Sequence, residues 1–343
     1  SNTTPAELEV RSTTCCIVGG GPAGAVLALL LARQGVAVTL LEAHKDFERD
    51  FRGDTLHPSV LEYMDQLGLS ERLLQLRHQK IYRLGLQTPQ GLFGQLDFSR
   101  LKTRHPYITM MPQSVFLEFI TAEAARYPGF VLLRSTVATE LIEEAGVVRG
   151  VRYRGPEGAG ELRALLTVGA DGRGSKIRRA AGFEPVKTAP PMDVLWFHLP
   201  KRESDGEGFN GGRYADGRIL IQFDRGDSWQ FGCLIRKGSY QQMHRDGIDS
   251  LRRAVVESMP SLVDRVQLLS DWKDVAMLSV ESSRVPKWYR SGLLLIGDAA
   301  HVMTPVLGVG INYAIQDAVV AANLLTSLLL ARGQVVAGGK AIR

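Results

Sequence analysis

Cysteine is scarce in this chain. Cys15, Cys16 and Cys233 are the three found in 343 residues. The first two are adjacent, which disfavours pairing with each other, and the set has no metal-ligand spacing. No metal is expected, and the thiols read as buried groups in a reducing cytoplasm. No basic run interleaved with aromatics occurs, so nucleic acid is not an expected partner. Neither sign of charge dominates: 41 basic against 36 acidic residues leave a net charge of +5, spread along the chain. That balance suits small anionic ligands without choosing one. Residues 1 to 14 are polar and include Glu7, Glu9 and Arg11, so no secretory leader is expected. An apolar stretch from Val26 to Leu41 is broken by Arg33, Gln34 and Gly35, so it does not read as an integral membrane segment. Internal repeats and low-complexity tracts are missing.

What is present is a globular composition, 45% hydrophobic and 22% charged, in a chain long enough for one large or two medium domains. Its organising stretch is CCIVGGGPAGAVLALLLARQGVAVTLLEA, Cys15 to Ala43. This reads strand, glycine turn, helix, strand. Gly19, Gly21 and Gly24 form G-x-G-x-x-G directly after an apolar run, with Ala23 inside it. The first glycine permits a tight turn. The second lets backbone approach a pyrophosphate, and the third lets helix and strand pack closely. The helix N-terminus offers amides and a positive dipole end to phosphate. Gly35 is placed to end the helix. Glu42 closes the second strand, 23 residues after Gly19, where a carboxylate can accept hydrogen bonds from a ribose.

Further along, Ser59 after Pro58 and Ser114 after Gln113 are candidate helix caps. Residues 80–98 read as β-strands with a turn at Pro89-Gln90-Gly91. Strands are also expected at 130–134, 147–153 and 165–170, with 155–160 as a hairpin tip. Ser175 is a candidate cap for a short basic helix containing Arg178. Residues 185–192 read as a linker, and 193–236 as β structure with a hairpin turn at Asp216-Gly217. Residues 247–270 read as helical and Val275 to Val280 as a return strand. Gly292 to Ile296 is a buried strand, 297–310 a glycine-rich loop, and Ile311 to Ala331 a long apolar helix. The order predicts an α/β fold with a discontinuous Rossmann-type domain at 1–75, 100–185 and 281–343. A β-sheet domain at 76–99 and 186–280 is inserted into it.

Three motifs stand in register with this organisation. They are GGGPAG with Glu42, then Ala170-Asp171-Gly172-Arg173-Gly174-Ser175, then GDAAHVMTPVLGVGIN from Gly297 to Asn312. In this order and spacing the chain resembles the class A flavin-dependent (FAD) aromatic monooxygenases, the p-hydroxybenzoate hydroxylase-like family. The resemblance covers nearly the whole chain, and the third motif is its most specific part. It implies a Rossmann-type FAD-binding domain of the GR2 type with an inserted β-sheet substrate domain. It also implies that Asp298 contacts the ribityl or pyrophosphate region of FAD. Pro305, Leu307, Gly308, Val309, Gly310 and Asn312 would face the flavin pyrimidine ring. Asp171 belongs to a DG motif associated with FAD and indirectly with nicotinamide. Arg52, Gln113 and Val137 match positions touching the cofactor, Gln113 at the ribityl chain and Val137 at adenine.

The implied reaction uses NADH or NADPH as transient reductant. One oxygen atom of O2 passes to a small or polycyclic aromatic-type substrate through a flavin C4a-hydroperoxide. Substrate contacts are expected from the inserted sheet, with Trp196, His198, Gln222 and Phe231 as candidates. The two-residue period should send about half of the candidates away from the pocket. No catalytic acid or base is assigned. Rival readings are a flavin-dependent halogenase or a reductase on the same fold, or a non-catalytic flavin-binding module. The halogenase segment W-x-W-x-I-P does not occur in the sequence. A monomer or homodimer is expected. Relatives usually continue beyond the long helix, so either the chain is a compact member or a C-terminal part is absent.

Overall fold

The structure, a computed structural model, describes residues 9–48, 54–188, 190–205, 208–215, 217–305 and 308–337. Asp216 of the expected hairpin turn, and the candidate site residues Arg52 and Leu307, lie outside the described residues. The chain forms two compact units. One comprises residues 1–49, 113–187 and 282–343, the other 50–112 and 188–281. The expected division at 75 and 100 differs from this. Residues 50–75 and 100–112 belong with the sheet unit because Thr55–Leu56, Ile108–Met110 and Gln79–Ile81 hydrogen-bond into one small sheet.

The first unit is built on an eight-stranded sheet. Its centre is Glu9–Val18, paired in parallel with Val38–Leu41 on one side and Gly158–Gly169 on the other. Phe130–Leu133 and Leu293–Leu295 extend the parallel array outward on either side. The Pro22–Arg33 helix buries Leu27, Leu29 and Leu31, each no more than 1% exposed. Each contributes roughly 1.5–3 kcal/mol relative to exposure. Gln34 caps that helix and Gly35, at φ +88°, lets the chain leave it. The last helix, Gly310–Ala337, begins one residue earlier and runs six residues further than expected. Ile311, Ala314, Ile315, Ala318, Ala321 and Ala322 form its buried stripe. By composition alone, Gly310–Gly333 is apolar enough to cross a membrane, which a core helix with one buried stripe also satisfies.

The second unit is a seven-stranded sheet. Its order is Ala276–Ser279, Met192–Pro200, Ser228–Arg236, Arg218–Asp224, Gly211–Ala215, Arg83–Thr88, Gly91–Asp97. Thr88 pairs with Gly91 across Pro89-Gln90, and Ala215 pairs with Arg218, so both expected hairpins form. One helix, Asp249–Ser258, packs on one face.

Several boundaries depart from the sequence reading. The helix expected to start after Ser59 starts at Pro58 with His57 at its cap, since proline suits the first helical position. Gln113 rather than Ser114 opens its helix. A strand at Val137–Glu144, hairpinned to Val147–Gly155, was not anticipated, because its charged, exposed face hides the alternation. The expected linker contains the short strand Val186–Thr188. Residues 247–270 yield only one α-helix. Pro260 ends the run and 3-10 turns follow at Pro260–Leu262 and Val266–Leu268.

Candidate functional site

In the first unit the parallel register brings distant motifs level. Val18 pairs with Gly169 on one side and Leu41 on the other, Gly169 pairs with Leu295, and Leu41 with Leu133. The chain therefore leaves four neighbouring strands at one edge as Gly19, Glu42, Ala170-Asp171 and Gly297-Asp298. Strand order reverses at Glu9–Val18, since the chain moves first to Val38–Leu41 and later to the opposite side. Open α/β sheets bind ligands at such a carboxyl edge, at the switch point.

The glycines of the turn divide into filled and open positions. A Cβ on Gly19, at φ +108°, would stand 2.3 Å from Ala170 O, and one on Gly24 would stand 1.9 Å from Gly19 O. These two serve protein packing. A Cβ on Gly21 would meet nothing within 4 Å, and the same holds for Gly172, Gly174 and Gly310. Packing does not demand glycine at Gly21, so the requirement there belongs to whatever approaches the turn. Ala23 is buried, and its methyl lies 3.0 Å from where Gly297 would carry a Cβ, which joins the first motif to the third.

Glu42 is 6% exposed. Its Oε2 accepts from the Gly20 amide at 3.1 Å, and its Oε1 faces the His44 amide at 2.9 Å and His44 Nδ1 at 2.8 Å. These donors hold the carboxylate in place at the end of its strand. Asp171 is engaged locally. It accepts from Ser175 Oγ at 2.5 Å and from the amides of Lys176 and Ile177 at 2.7 and 3.1 Å. Ser175 in turn caps Lys176–Ala180 by accepting from the Arg178 amide, as expected. The Asp171 side chain thus fixes the start of this helix.

Arg178, 7% exposed, joins the second and third motifs by donating to Ala299 O at 3.0 Å and Arg173 O at 2.8 Å. Arg173 Nε lies 3.5 Å from Asp298 Oδ2. Asp317, which sequence reading missed, anchors the third motif. One of its oxygens accepts from the Gly297 amide at 2.8 Å and faces His301 Nε2 at 2.6 Å. The only sequence signal was a lone acid in a long apolar helix. Burial pulls the His301 pKa down, but the hydrogen bond and charge of Asp317, with the charge of Asp298, outweigh it and hold the ring above its ordinary value. Gly308, at φ +61°, turns the chain and donates to Pro305 O, and Asn312 Nδ2 bonds Gly308 O at 3.0 Å. Val309 accepts from the Asn312 amide at the mouth of the helix opened by Gly310. Gln113 opens its own helix, and Val137 opens its strand.

In the sheet unit the candidates fall on two faces. Trp196 and His198 share one face with Gly232 and Gln230. Trp196 lies over Gly232, where a Cβ would meet its ring at 2.8 Å. Gln222 and Phe231 share the other face, paired across strands. Phe231 is fully buried in the core with Phe197 and Leu251 and stacks on Phe197 at 5.6 Å. Its expected substrate contact is therefore replaced by a packing role. Gln222, 2% exposed, holds Arg213 by accepting from its Nε at 3.0 Å.

Residues 12–335 match the model of the FAD binding domain family. The 6-methylpretetramide 4-monooxygenase of Streptomyces rimosus is 35% identical over 318 residues, covering 91% of this chain and 75% of that protein. The 12-dehydrotetracycline 5-monooxygenase/anhydrotetracycline 6-monooxygenase of the same species is 30% identical over 316 residues, covering 88% of this chain but 60% of its own length. Among solved structures, PqsL of P. aeruginosa in complex with 2-aminobenzoylacetate superposes with a TM-score of 0.80 at 21% identity, covering 94% of this chain and 88% of that one. The chain belongs to this FAD-binding family, the FAD-dependent aromatic monooxygenases of the p-hydroxybenzoate hydroxylase type.

Proposed function

We propose that the chain, loaded with FAD, consumes NADH or NADPH and O2 to hydroxylate an electron-rich aromatic substrate. A polycyclic ring system of the kind named for the 6-methylpretetramide relative is the favoured class. The observation that carries this reading is the alignment of four strand ends bearing Gly19, Glu42, Asp171 and Asp298 at one edge. The open positions at Gly21 and Gly310 fit a ligand that presses on backbone. FAD, when bound, supplies the acceptance of hydride and the activation of O2.

The chain's own residues hold and orient. Gly19, Gly21, Ala23 and Gly24 bring the Pro22–Arg33 helix start to the pyrophosphate, and Glu42 accepts from the ribose. Asp298 takes the ribityl or pyrophosphate region, with Gln113 at the ribityl chain and Val137 at adenine. Pro305, Gly308 and Asn312 shape the loop that brings the Val309 and Gly310 amides to the pyrimidine end, where a helix N-terminus favours negative charge. Asp171 acts through the helix it caps. On the sheet, Trp196 and His198 are the candidates left for substrate. The three thiols suit a cytoplasmic protein.

The test is a screen of aromatic and polyketide-type compounds with the FAD-loaded chain, NADH or NADPH and O2, read by mass spectrometry. The expected result is a product heavier by one oxygen atom, formed only when reductant is present. Halogenated product without oxygenated product, or reductant consumption with no product from any compound, contradicts the proposal.

A further inference from the structure

A cavity of about 400 Å³ lies in the sheet unit, where the Asp249–Ser258 and Tyr240–Arg245 helices meet the ends of Arg218–Asp224 and Ser228–Arg236. Cys233, Ile235, Met243 and Ala254 form its buried and half-buried floor, and Arg218 and Arg253 stand exposed at its mouth. A cavity of about 150 Å³ accepts one benzene, roughly 25 Å³ per carbon, so this one takes about sixteen non-hydrogen atoms. Cys233 pairs with Leu195, and both belong to the core under the Asp249–Ser258 helix. Trp196 and His198 lie on the opposite face of the sheet. The cavity is thus separate from the residues left as substrate candidates.

Helix positions 250, 253, 254 and 257 share one edge. That edge carries Ser250, Arg253, Ala254 and Glu257 to the cavity, while Leu251 and Val255 fill the core. Its one carboxylate is engaged: Glu257 accepts from Arg218 Nη1 across the gap between helix and strand. Arg253 has no hydrogen-bond or ion-pair partner for its guanidinium among the described residues. The hydroxyl hydrogens are spent on backbone. Ser250 Oγ lies 3.0 Å from Met243 O and 2.8 Å from Gly247 O, and Ser239 Oγ donates to Arg236 O at 2.6 Å. Burial pushes the Cys233 thiol up to about 11, and the charge of Arg218 opposes that rise, so positive potential reaches the floor. No aromatic side chain lines the cavity among the described residues. A ring would find no stacking partner there, whereas an aliphatic chain can pack on Ile235, Met243 and Ala254.

We propose that this cavity binds an aliphatic chain with an anionic head, a carboxylate or a phosphate. The chain lies on Cys233, Ile235, Met243 and Ala254, and Arg253 holds the head. A guanidinium presents a planar fork of donors that matches the oxygens of either head group. The assignment does not depend on the hydroxylase reading.

The test is calorimetric titration of the full chain, with FAD present, using octanoate, octyl phosphate and neutral octanol. At least one anion should bind one-to-one and about tenfold or more tighter than octanol. Arg253→Gln should weaken that anion by about tenfold or more and leave octanol within about twofold. Glu257→Gln releases Arg218 from its carboxylate and should tighten the same anion by about threefold or more, a gain that misfolding does not produce. Tighter binding of octanoate identifies a fatty-acid head, and tighter binding of octyl phosphate a phosphate ester. Octanol binding as tightly as both anions, or no binding of either anion, overturns the assignment. So does an anion affinity that Arg253→Gln leaves unchanged or that Glu257→Gln does not raise.

Discussion

Gly21 and Gly24 stand in the same turn and have opposite tasks. A methyl at position 24 collides with the Gly19 carbonyl, whereas one at position 21 enters open space. Gly24→Ala should therefore lower the stability of the apoprotein by about 3 kcal/mol or more. Gly21→Ala should leave that stability within about 0.5 kcal/mol and weaken FAD by about tenfold or more. Urea unfolding of apoprotein and fluorescence titration of FAD separate the two. Cysteine offers a second check at this scale. Burial pushes the thiols of Cys15 and Cys233 up to about 12 and about 11, and Cys16 well above its ordinary value. A colorimetric thiol reagent near pH 8 should find no reactive thiol in the folded chain and three after denaturation.

At the level of elements, the start of Lys176–Ala180 depends on one side chain outside it. Asp171→Ala removes the acceptor for Ser175 Oγ and for two backbone amides, and should cost about 1–2 kcal/mol in urea unfolding. Asp317 ties the Gly310–Ala337 helix to the turn at Gly297 and His301. Because the folded pKa of His301 is raised, its contribution to stability is full below about 6.5 and is lost as pH rises through the folded value. Asp317→Asn should thus destabilise the chain more at pH 5.5 than at pH 8.5, measured as the difference in urea midpoint. Equal loss at both values would remove the charge pairing as its cause.

These elements also mark what sequence could supply. The Ser175 cap, the Pro89-Gln90 hairpin and the Gly35 helix end were legible because each follows from residues within a few positions. The two-residue period correctly divided the sheet candidates into two faces. It could not say which face the Asp249–Ser258 helix would cover, so Phe231 was expected at substrate and found in the core. Asp317 and Arg178 were illegible as anchors, because their partners lie 20 and 121 positions away in the chain.

For the molecule as a whole, the glycine turn foretold a nucleotide site, and the Gly297 to Asn312 segment, by resemblance, chose FAD. What sequence alone did not contain was the lateral order of the strands. Placing Leu293–Leu295 beside Gly158–Gly169, and that strand beside Glu9–Val18, is a long-range pairing decision. It is this order that sets residues 19, 42, 171 and 298 along one edge. The same distance effect moved residues 50–75 and 100–112 into the sheet unit, since the short strands that hold them there meet only in three dimensions.

The most direct measurement is oxygen tracing. The FAD-loaded chain is given a compound positive in the screen, NADH or NADPH, and isotopically labelled O2 in unlabelled water. One labelled oxygen atom should appear in the product, and none when the label is placed in water instead. Unlabelled product from labelled O2, or a chain that cannot be loaded with FAD at all, would contradict the assignment.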